Sequence, residues 1–482
     1  MQPTPVRKRS NQPAPLCVDL DGTLIRTDLL FESTLALLKR NPLYLFMLPF
    51  WWLGGRARLK RHIAQRTCVD VATLPWDRRV LHLIEVEREN RQVVLCTASD
   101  QALADAVARH LGCFDRVIAS DGSRNLSGHW KAETLVEAYG ERGFDYAGNE
   151  TRDLAVWAHA RHAYVVNGSG GLAARVGRIS KVADVLPREQ RGLRTWAKAL
   201  RLHQWLKNVL VFVPLLAAHK LLQPVVVMHT IAAFFIFGVC ASGVYVLNDL
   251  LDLGADRAHP RKHRRPFASG RLSLAKGIAV APLLTIVAFA AAYALAPRFA
   301  LVLLGYYVLT LAYSFKLKQF AMLDVLVLAG LYTMRIIAGT VAIATGLSFW
   351  LLAFSMFLFL SLALLKRYTE LVVQRDSGNT QAAGRGYAVT DASLIATLGG
   401  ASGYLSVLVL ALYIDSTASA ALYRHPQWLW MMCPLLLYWI SRVWIIAHRG
   451  AMHDDPIVFA ITDNASRVVL ILGALVAVLA IR

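Results

Sequence analysis

The pattern of hydrophobic positions changes near residue 190. Over residues 16–190 the apolar runs are short and end at small or polar residues, as in LCVDLDGT at 16–23, VVLCTAS at 93–99 and AYVVNGS at 163–169. Consecutive apolar positions over so few residues are what strands buried on both faces of a parallel sheet require. Helical periodicity fills the intervals, for example over 101–111 and 132–139. An α/β Rossmann-like domain is expected here.

Beyond a basic stretch at 187–208, the runs lengthen. Nine apolar segments stand out, at 209–218, 225–247, 275–296, 299–313, 322–345, 349–365, 393–414, 427–447 and 466–481. Several approach the ~20 residues that cross a bilayer as helix. The expected organisation is therefore a soluble domain over 1–186, a linker and membrane entry over 187–208, and an all-α polytopic bundle of nine transmembrane helices over 209–482. One run is anomalous. LYLFMLPFWWL at 43–53 is too short to span and is rich in aromatic rings. It is expected to touch the membrane or the second domain.

Charge refines this picture. Of 482 residues 56% are hydrophobic, and the net charge of +20 gathers at the ends of the apolar runs. That placement points to a membrane surface, not to nucleic acid. Lys and Arg mark the 187–208, 248–274, 314–320, 366–392 and 448–465 segments, whereas the alternating loops carry few. The soluble domain is then cytoplasmic, and an odd number of spans places the C-terminus outside a bacterial-type plasma membrane. Residues 1–15 are polar and basic, and the first apolar run is strand-length, so no secretory signal is expected. Six cysteines without a CxxC pair suggest neither a disulfide framework nor a zinc site.

In the soluble part, Asp19 and Asp21 end a strand in DLDGT. A turn at Gly22 can bring both carboxylates to one site, one to attack phosphorus and the other to move a proton. Thr97 in LCTAS, Lys131 in SGHWKAETL, and Asn149 and Asp153 in GNETRD follow in order. This series resembles the haloacid dehalogenase superfamily. The resemblance implies Asp19 as nucleophile, Asp21 as acid/base, Thr97 as phosphoryl ligand and Lys131 as balancing charge. It also implies Mg2+ held by Asp19, Asp21, Asn149 and Asp153. Asn149 departs from the pattern, because an acid is common there and a neutral amide binds magnesium less strongly.

In the membrane part, VLNDLLDLGAD places Asn248, Asp252 and Asp256 at i, i+4 and i+8, with Asp249 beside Asn248. On a helix these share a face. Acidic residues at a membrane helix end are costly unless they bind something, and hard oxygen ligands suit magnesium carrying a diphosphate. Arg257, Arg261, Lys262, Arg264, Arg265 and Arg271 follow and can grip phosphate oxygens. This pattern resembles the UbiA superfamily of intramembrane prenyltransferases. The resemblance implies a helical bundle with a lipid-open cavity, a magnesium-dependent diphosphate donor and a polyprenyl substrate.

Further positions resemble its decaprenyl-phosphate phosphoribosyltransferase branch, with implied roles in substrate binding. They are Lys207 and Asn208 in RLHQWLKN, Tyr313, Lys316, Asp324 and Arg335 in the 313–339 stretch, and Lys366, Arg367 and Glu370 in LLKRYTEL. Asp454 and Asp455 in MHDDP belong to the same set. Asp324 and Arg335, eleven apart, can share one helix face, as substrate ligands or as a buried ion pair. The second acidic motif of aromatic prenyltransferases, DxxxD, is absent around Glu370. The implied reaction is phosphoribosyl transfer from phosphoribosyl diphosphate to a polyprenyl phosphate in cell envelope synthesis. Catalysis would centre on Asp249 and Asp252, with Lys207, Lys316 and Arg265 neutralising the diphosphate. Two alternatives stay open: prenyl transfer from a polyprenyl diphosphate to a small acceptor, and a lipid-binding or transport protein.

Overall fold

The computed structural model describes residues 13–67, 69–122, 124–168, 170–187, 192–376, 386–452 and 456–481. Asp454, Asp455 and Cys68 lie outside them. The chain divides into two compact units, Met1–Leu200 with Val246–Val280, and Arg201–Tyr245 with Ala281–Arg482.

The first unit is built on a parallel sheet. Its strands are β1 (Leu16–Val18), β2 (Val93–Asp100), β3 (Arg116–Ser120), β4 (Asp145–Gly148), β5 (His162–Val166) and β6 (Lys181–Leu186), in spatial order β3-β2-β1-β4-β5-β6. The apolar runs alternate between two cores. Leu16, Val18, Val93 and Leu95 pack on one face. Cys17, Val94, Cys96, Tyr146 and Trp157 pack on the other. Burial on both faces explains why these strands read as unbroken hydrophobic runs. The expected helices form over Gln101–Leu111 and His129–Tyr139. Asp28, Asp77 and Asp100 cap helix N-termini by accepting backbone N–H bonds.

Between β1 and β2 lies a helical insertion that includes Leu29–Arg40, Leu48–Leu53, Arg56–Ala64 and Arg78–Glu87. The anomalous apolar run forms a 3-10 turn and the short Leu48–Leu53 helix, and its Leu43, Phe46, Phe50, Trp52 and Leu53 side chains are exposed. The stretch expected as a linker is structured from Leu193 onward, as the helix Leu193–Ala199 and a 3-10 helix over Leu202–Phe212.

Among the described residues, eight helices are long and apolar enough to cross a membrane. They are Pro224–Leu251, Leu274–Leu295, Pro297–Phe315, Leu323–Ala342, Phe349–Asp376, Val389–Ile414, Pro426–His448 and Asn464–Ile481. The ninth expected span, 209–218, is not such a helix. Lys207 and Asn208 precede it, and Pro214 sits in the short helix Val213–Ala217 that ends it. The apolar segment there runs over Leu202–Ala217. At about 2.0 Å per 3-10 residue and 1.5 Å per α residue, it reaches roughly 30 Å. Outward positions such as Ile286, Leu301 and Leu412 remain exposed, as lipid-facing helices require. The five described cysteines, Cys17, Cys96, Cys113, Cys240 and Cys433, are free.

Candidate functional site

In the first unit, the residues expected to do phosphate chemistry converge at the carboxyl end of β1. Asp19 leaves the strand with its N–H on the Ala147 carbonyl (2.9 Å). Lys131, buried on the helix His129–Tyr139, places Nζ 2.6 Å from Asp19 Oδ1 and donates to the Tyr146 hydroxyl at 3.0 Å. Tyr146 donates in turn to Asp153 Oδ1 (2.9 Å). Asp153 Oδ2 accepts the backbone N–H groups of Asn149 and Glu150, both at 2.9 Å, so this carboxylate fixes the loop. Gly22, at φ +77°, lets the chain pass so close to Asn149 that a Cβ would fall 2.0 Å from its Nδ2.

Asp21 is held by two donors, the Leu29 N–H at 2.8 Å and the Ser99 hydroxyl at 2.7 Å. Thr97 is fully buried within β2, and its Oγ1 accepts the Ser99 N–H. Burial pushes the Asp19 carboxyl up to about 7, against the pull of Lys131 and with the charges of Asp153 and Asp21 adding to it. Burial opposes the charge on Lys131, but Asp19 and Asp153 more than offset it and hold the ammonium above its ordinary range. The cluster thus keeps a carboxylate and its counter-ion out of water, ready for an incoming anion.

Oxygen donors of this kind suit a hard divalent cation. Asn149 Oδ1 is buried without a hydrogen-bond partner. Together with the Asp19 carboxylate, it would hold Mg2+, whose charge would screen phosphoryl oxygens. The parallel sheet and this constellation agree with the haloacid dehalogenase resemblance read from the sequence.

Other residues of the cluster carried no sequence signal. Lys60, from the inserted helix Arg56–Ala64, reaches the Ala98 carbonyl (2.5 Å) and Asn125 Oδ1 (2.9 Å). Burial lowers its pKa, with Asp21 and Asp28 opposing. Only the fold brings it to the site. Tyr146 and Ser99 were likewise hidden in apolar runs, where a buried hydroxyl that needs a partner was the one available sign.

The acidic segment also belongs to the first unit. The helix Pro224–Leu251 ends just before Asp252, and a short helix, Leu253–Ala258, follows. Backbone bonds Asp252 N–H to Asn248 O (2.9 Å) and Asp256 N–H to Asp252 O (2.8 Å) keep the expected turn-by-turn stacking. The side chains divide differently. Arg265 Nη1 bridges Asp249 (3.1 Å) and Asp256 (2.6 Å), both buried. Asp252 turns to Lys39, at 2.9 Å. Asn248 Oδ1 is buried without a hydrogen-bond partner.

Among the described residues, no three His, Cys, Asp or Glu side chains gather as a metal cage. Arg265 nonetheless brings the Asp249 and Asp256 carboxylates to one nitrogen, and Asn248 Oδ1 is a further buried oxygen on the neighbouring residue. These oxygens would hold Mg2+, which would balance a diphosphate. Arg257 follows, buried, donating to both oxygens of Glu32 at 2.5 and 3.1 Å and to the Ala268 carbonyl at 2.9 Å.

The second unit gathers the remaining candidates in two groups. Asn208 Oδ1 accepts from Arg335 Nε (3.0 Å), while Arg335 Nη1 donates to the Leu331 carbonyl (2.6 Å). The guanidinium lies within 5.2–5.6 Å of the Phe237, Tyr306 and Tyr332 ring centroids. Lys207 Nζ sits 5.7 Å from the Tyr332 ring. Asp324 does not pair with Arg335. Its partner is Arg367, at 2.6 Å with both side chains fully buried, and Tyr387 donates to it as well. Eleven residues apart along one helix, Asp324 and Arg335 each find a nearer partner on another element. Arg367 also binds Glu370. Tyr313 has Arg367, Asp324, Lys366 and Glu370 as electrostatic neighbours, whereas Lys316 is exposed.

Comparison with known proteins adds the following. The UbiA prenyltransferase family matches residues 209–479. An uncharacterized protein, y4nM of Sinorhizobium fredii, is 38% identical over 96% of this chain and 90% of its own length. A decaprenyl-phosphate phosphoribosyltransferase of Mycobacterium tuberculosis is 40% identical over 38% of this chain, which spans 61% of that protein. A UbiA homolog from Archaeoglobus fulgidus, solved with GPP and Mg2+, superposes at TM-score 0.45 and 16% identity, covering 59% of this chain and 99% of the other. An apo phosphoserine phosphatase superposes at TM-score 0.26 and 14% identity, covering 38% and 96%.

Proposed function

The chain belongs to the UbiA prenyltransferase family, and on that premise we propose that it is a membrane-embedded phosphoribosyltransferase, carrying a 5-phosphoribosyl group from phosphoribosyl diphosphate to a polyprenyl phosphate. The observation that carries the choice of donor is the 40% identity to a decaprenyl-phosphate phosphoribosyltransferase. The ion pairs of Arg367 agree with it. Asp324 and Glu370 both pair with that guanidinium, so among the described residues these two acids do not stand as a free pair for a second metal-bound diphosphate.

In this reading Asp249, Asp256 and Asn248 would hold Mg2+, which would supply positive charge for a diphosphate. Arg265 moves from the carboxylates to the diphosphate oxygens as a bidentate donor. Asp252 completes the acidic face once Lys39 releases it. In the second unit, Lys207, Lys316 and Lys366 carry positive charge suited to phosphate groups. The bond from the anomeric carbon to the diphosphate breaks, and a lipid phosphate oxygen forms the new one. Asn208, Arg335, Asp324 and Arg367 act by fixing the helices that line the cavity, with Tyr313 beside them.

The fused domain removes a phosphate from a phosphoester, with Asp19 as nucleophile, Asp21 as proton carrier, Thr97 contacting the phosphoryl group and Lys131 as counter-charge. Both activities face the cytoplasm of a bacterial-type plasma membrane. The C-terminus lies outside, with Leu202–Ala217 making the ninth crossing.

Membranes containing the protein, given labelled phosphoribosyl diphosphate or labelled prenyl diphosphate, test the donor. Ribose label entering the lipid phase is expected. Prenyl label entering a small acceptor, with ribose staying in water, would establish the other reaction.

A further inference from the structure

We infer that the phosphatase pocket is a composite site for a substrate carrying two anionic groups, a phosphomonoester to be cleaved and a second phosphate held by Arg26 and Arg271. This rests on the phosphatase reading above and extends it by naming the second anion and the residues that hold it.

A cavity of about 370 Å3 opens beside Asp21, Gly22 and Asn149. Part of its lining comes from far along the chain, from Gly270, Arg271, Ser273, Leu274 and Ala275. That wall is fixed in place. Gly270 has φ +69°, and a Cβ there would come within 2.6 Å of Arg26 Cβ and 2.9 Å of the Arg26 carbonyl oxygen. Only glycine permits so close a backbone approach in that conformation. The buried Glu32–Arg257 pair ties the same two stretches together a second time.

The lining divides by chemistry. Asp21 and Asn149 belong to the hydrolytic cluster. Phe31, Leu274 and Ala275 supply apolar surface. Arg26 and Arg271 are the cations of the lining. Arg26 stands 3.5 Å from Asp77. Arg271 is exposed and, among the described residues, has no ion pair or side-chain hydrogen bond. An arginine held at a pocket wall with its donors unused suits a phosphate oxygen, which it can bind bidentately. The volume is at the small end of ligand pockets, about 300–1,000 Å3. It admits a phosphorylated pentose and leaves a long isoprenoid chain outside.

A 5-phosphoribosyl lipid phosphate meets these terms, with a phosphomonoester at one side of the pentose and a lipid-linked phosphodiester at the other. Asp19 forms a bond to phosphorus as the ester oxygen departs and takes a proton from Asp21. Water then attacks the aspartyl phosphate, gives its proton to Asp21 and releases Asp19. One water is consumed, and one alcohol and one inorganic phosphate are formed. The loop that follows the acidic cluster would thus help select the substrate of the hydrolytic site.

The test uses full-length protein in nanodiscs and two probes, ribose 1,5-bisphosphate and ribose 5-phosphate, with inorganic phosphate as the readout. The wild type should prefer the bisphosphate at least tenfold in kcat/KM. Arg271→Glu should bring that preference close to unity, and Arg271→Lys should keep most of it. Asp19→Asn should abolish release from both probes. A wild type without preference, or an Arg271→Glu variant that retains it, overturns the two-anion site while Asp19-dependent release leaves the phosphatase reading standing. Release that survives Asp19→Asn, or no release from either probe, overturns both.

Discussion

Replacing Glu32 by alanine strands a buried guanidinium, and the structure sets the size of the effect. Glu32 lies on the helix Leu29–Arg40 and accepts from Arg257 through both oxygens and from the Thr27 hydroxyl at 2.7 Å. The two charged side chains are 5% and 6% exposed. Removing one partner from a buried pair costs about 3–5 kcal/mol, because the survivor keeps its desolvation cost without its counter-charge. Arg257 retains the Ala268 carbonyl, so the lower figure applies. About 3 kcal/mol corresponds to a change of roughly 150-fold in a local opening equilibrium. Hydrogen exchange on the full-length protein should show amides of Leu29–Arg40 and Leu253–Ala258 exchanging about a hundredfold faster in Glu32→Ala. Amides of β2 should be unchanged. Adding Arg257→Ala should recover at least half of the loss, since no charge is then stranded. Exchange within threefold of wild type in the single variant would refute the reasoning.

The remaining predictions follow from individual groups. Lys131→Met removes the counter-charge 2.6 Å from Asp19, and phosphate release should fall at least a hundredfold, on the order seen when one preorganised charge is removed. Asp249→Ala and Asp256→Ala should each reduce ribose incorporation into lipid by about a hundredfold or more, and EDTA should abolish incorporation until Mg2+ is restored. Burial works against the charge of Asp77, but hydrogen bonds from Arg79 and Asn167 and the charge of Arg26 more than offset it and hold the group at about 2. A depressed folded pKa means stability that is full above about pH 4 and lost as pH falls towards 2. The loss should total about 2 kcal/mol, and acid unfolding of Asp77→Asn should lack it. A cysteine added after Ile481 should react with impermeant maleimide from the side opposite Asp19 if Leu202–Ala217 crosses the bilayer. Labelling from the same side would remove the ninth crossing.

What could be read from the sequence depended on how far each signal reaches along the chain. Strands and spans are local, so LCVDLDGT and VVLCTAS gave β1 and β2 nearly to the residue. The weaker β3, β4 and β6 were missed, because RVIAS, DYAG and KVADVL are too short or too mixed to show a period. The 209–218 run reads short for the opposite reason. Its composition is apolar throughout, but Pro214 and the buried polar pair Lys207 and Asn208 impose a 3-10 course that hydropathy alone does not register.

The sites divide along the same line. Asp19, Lys131 and Asp153 carry recognisable neighbours in sequence, and the sheet order brings them together. Lys60 and Arg271 carry none. Lys60 arrives from the helical insertion after β1, and Arg271 from a loop that in sequence reads as part of a basic membrane flank. A run of Lys and Arg at the end of a span satisfies the charge bias of membrane loops wherever each side chain points, so composition cannot single out Arg271 as a residue that lines this pocket. Gly270 and the Glu32–Arg257 pair do single it out. A glycine at positive φ pressed on the Arg26 backbone, and an ion pair removed from water, are costs that a solvated loop need not bear. Their presence is the physical reason to regard 257–275 as part of the first unit as well as a link between two spans.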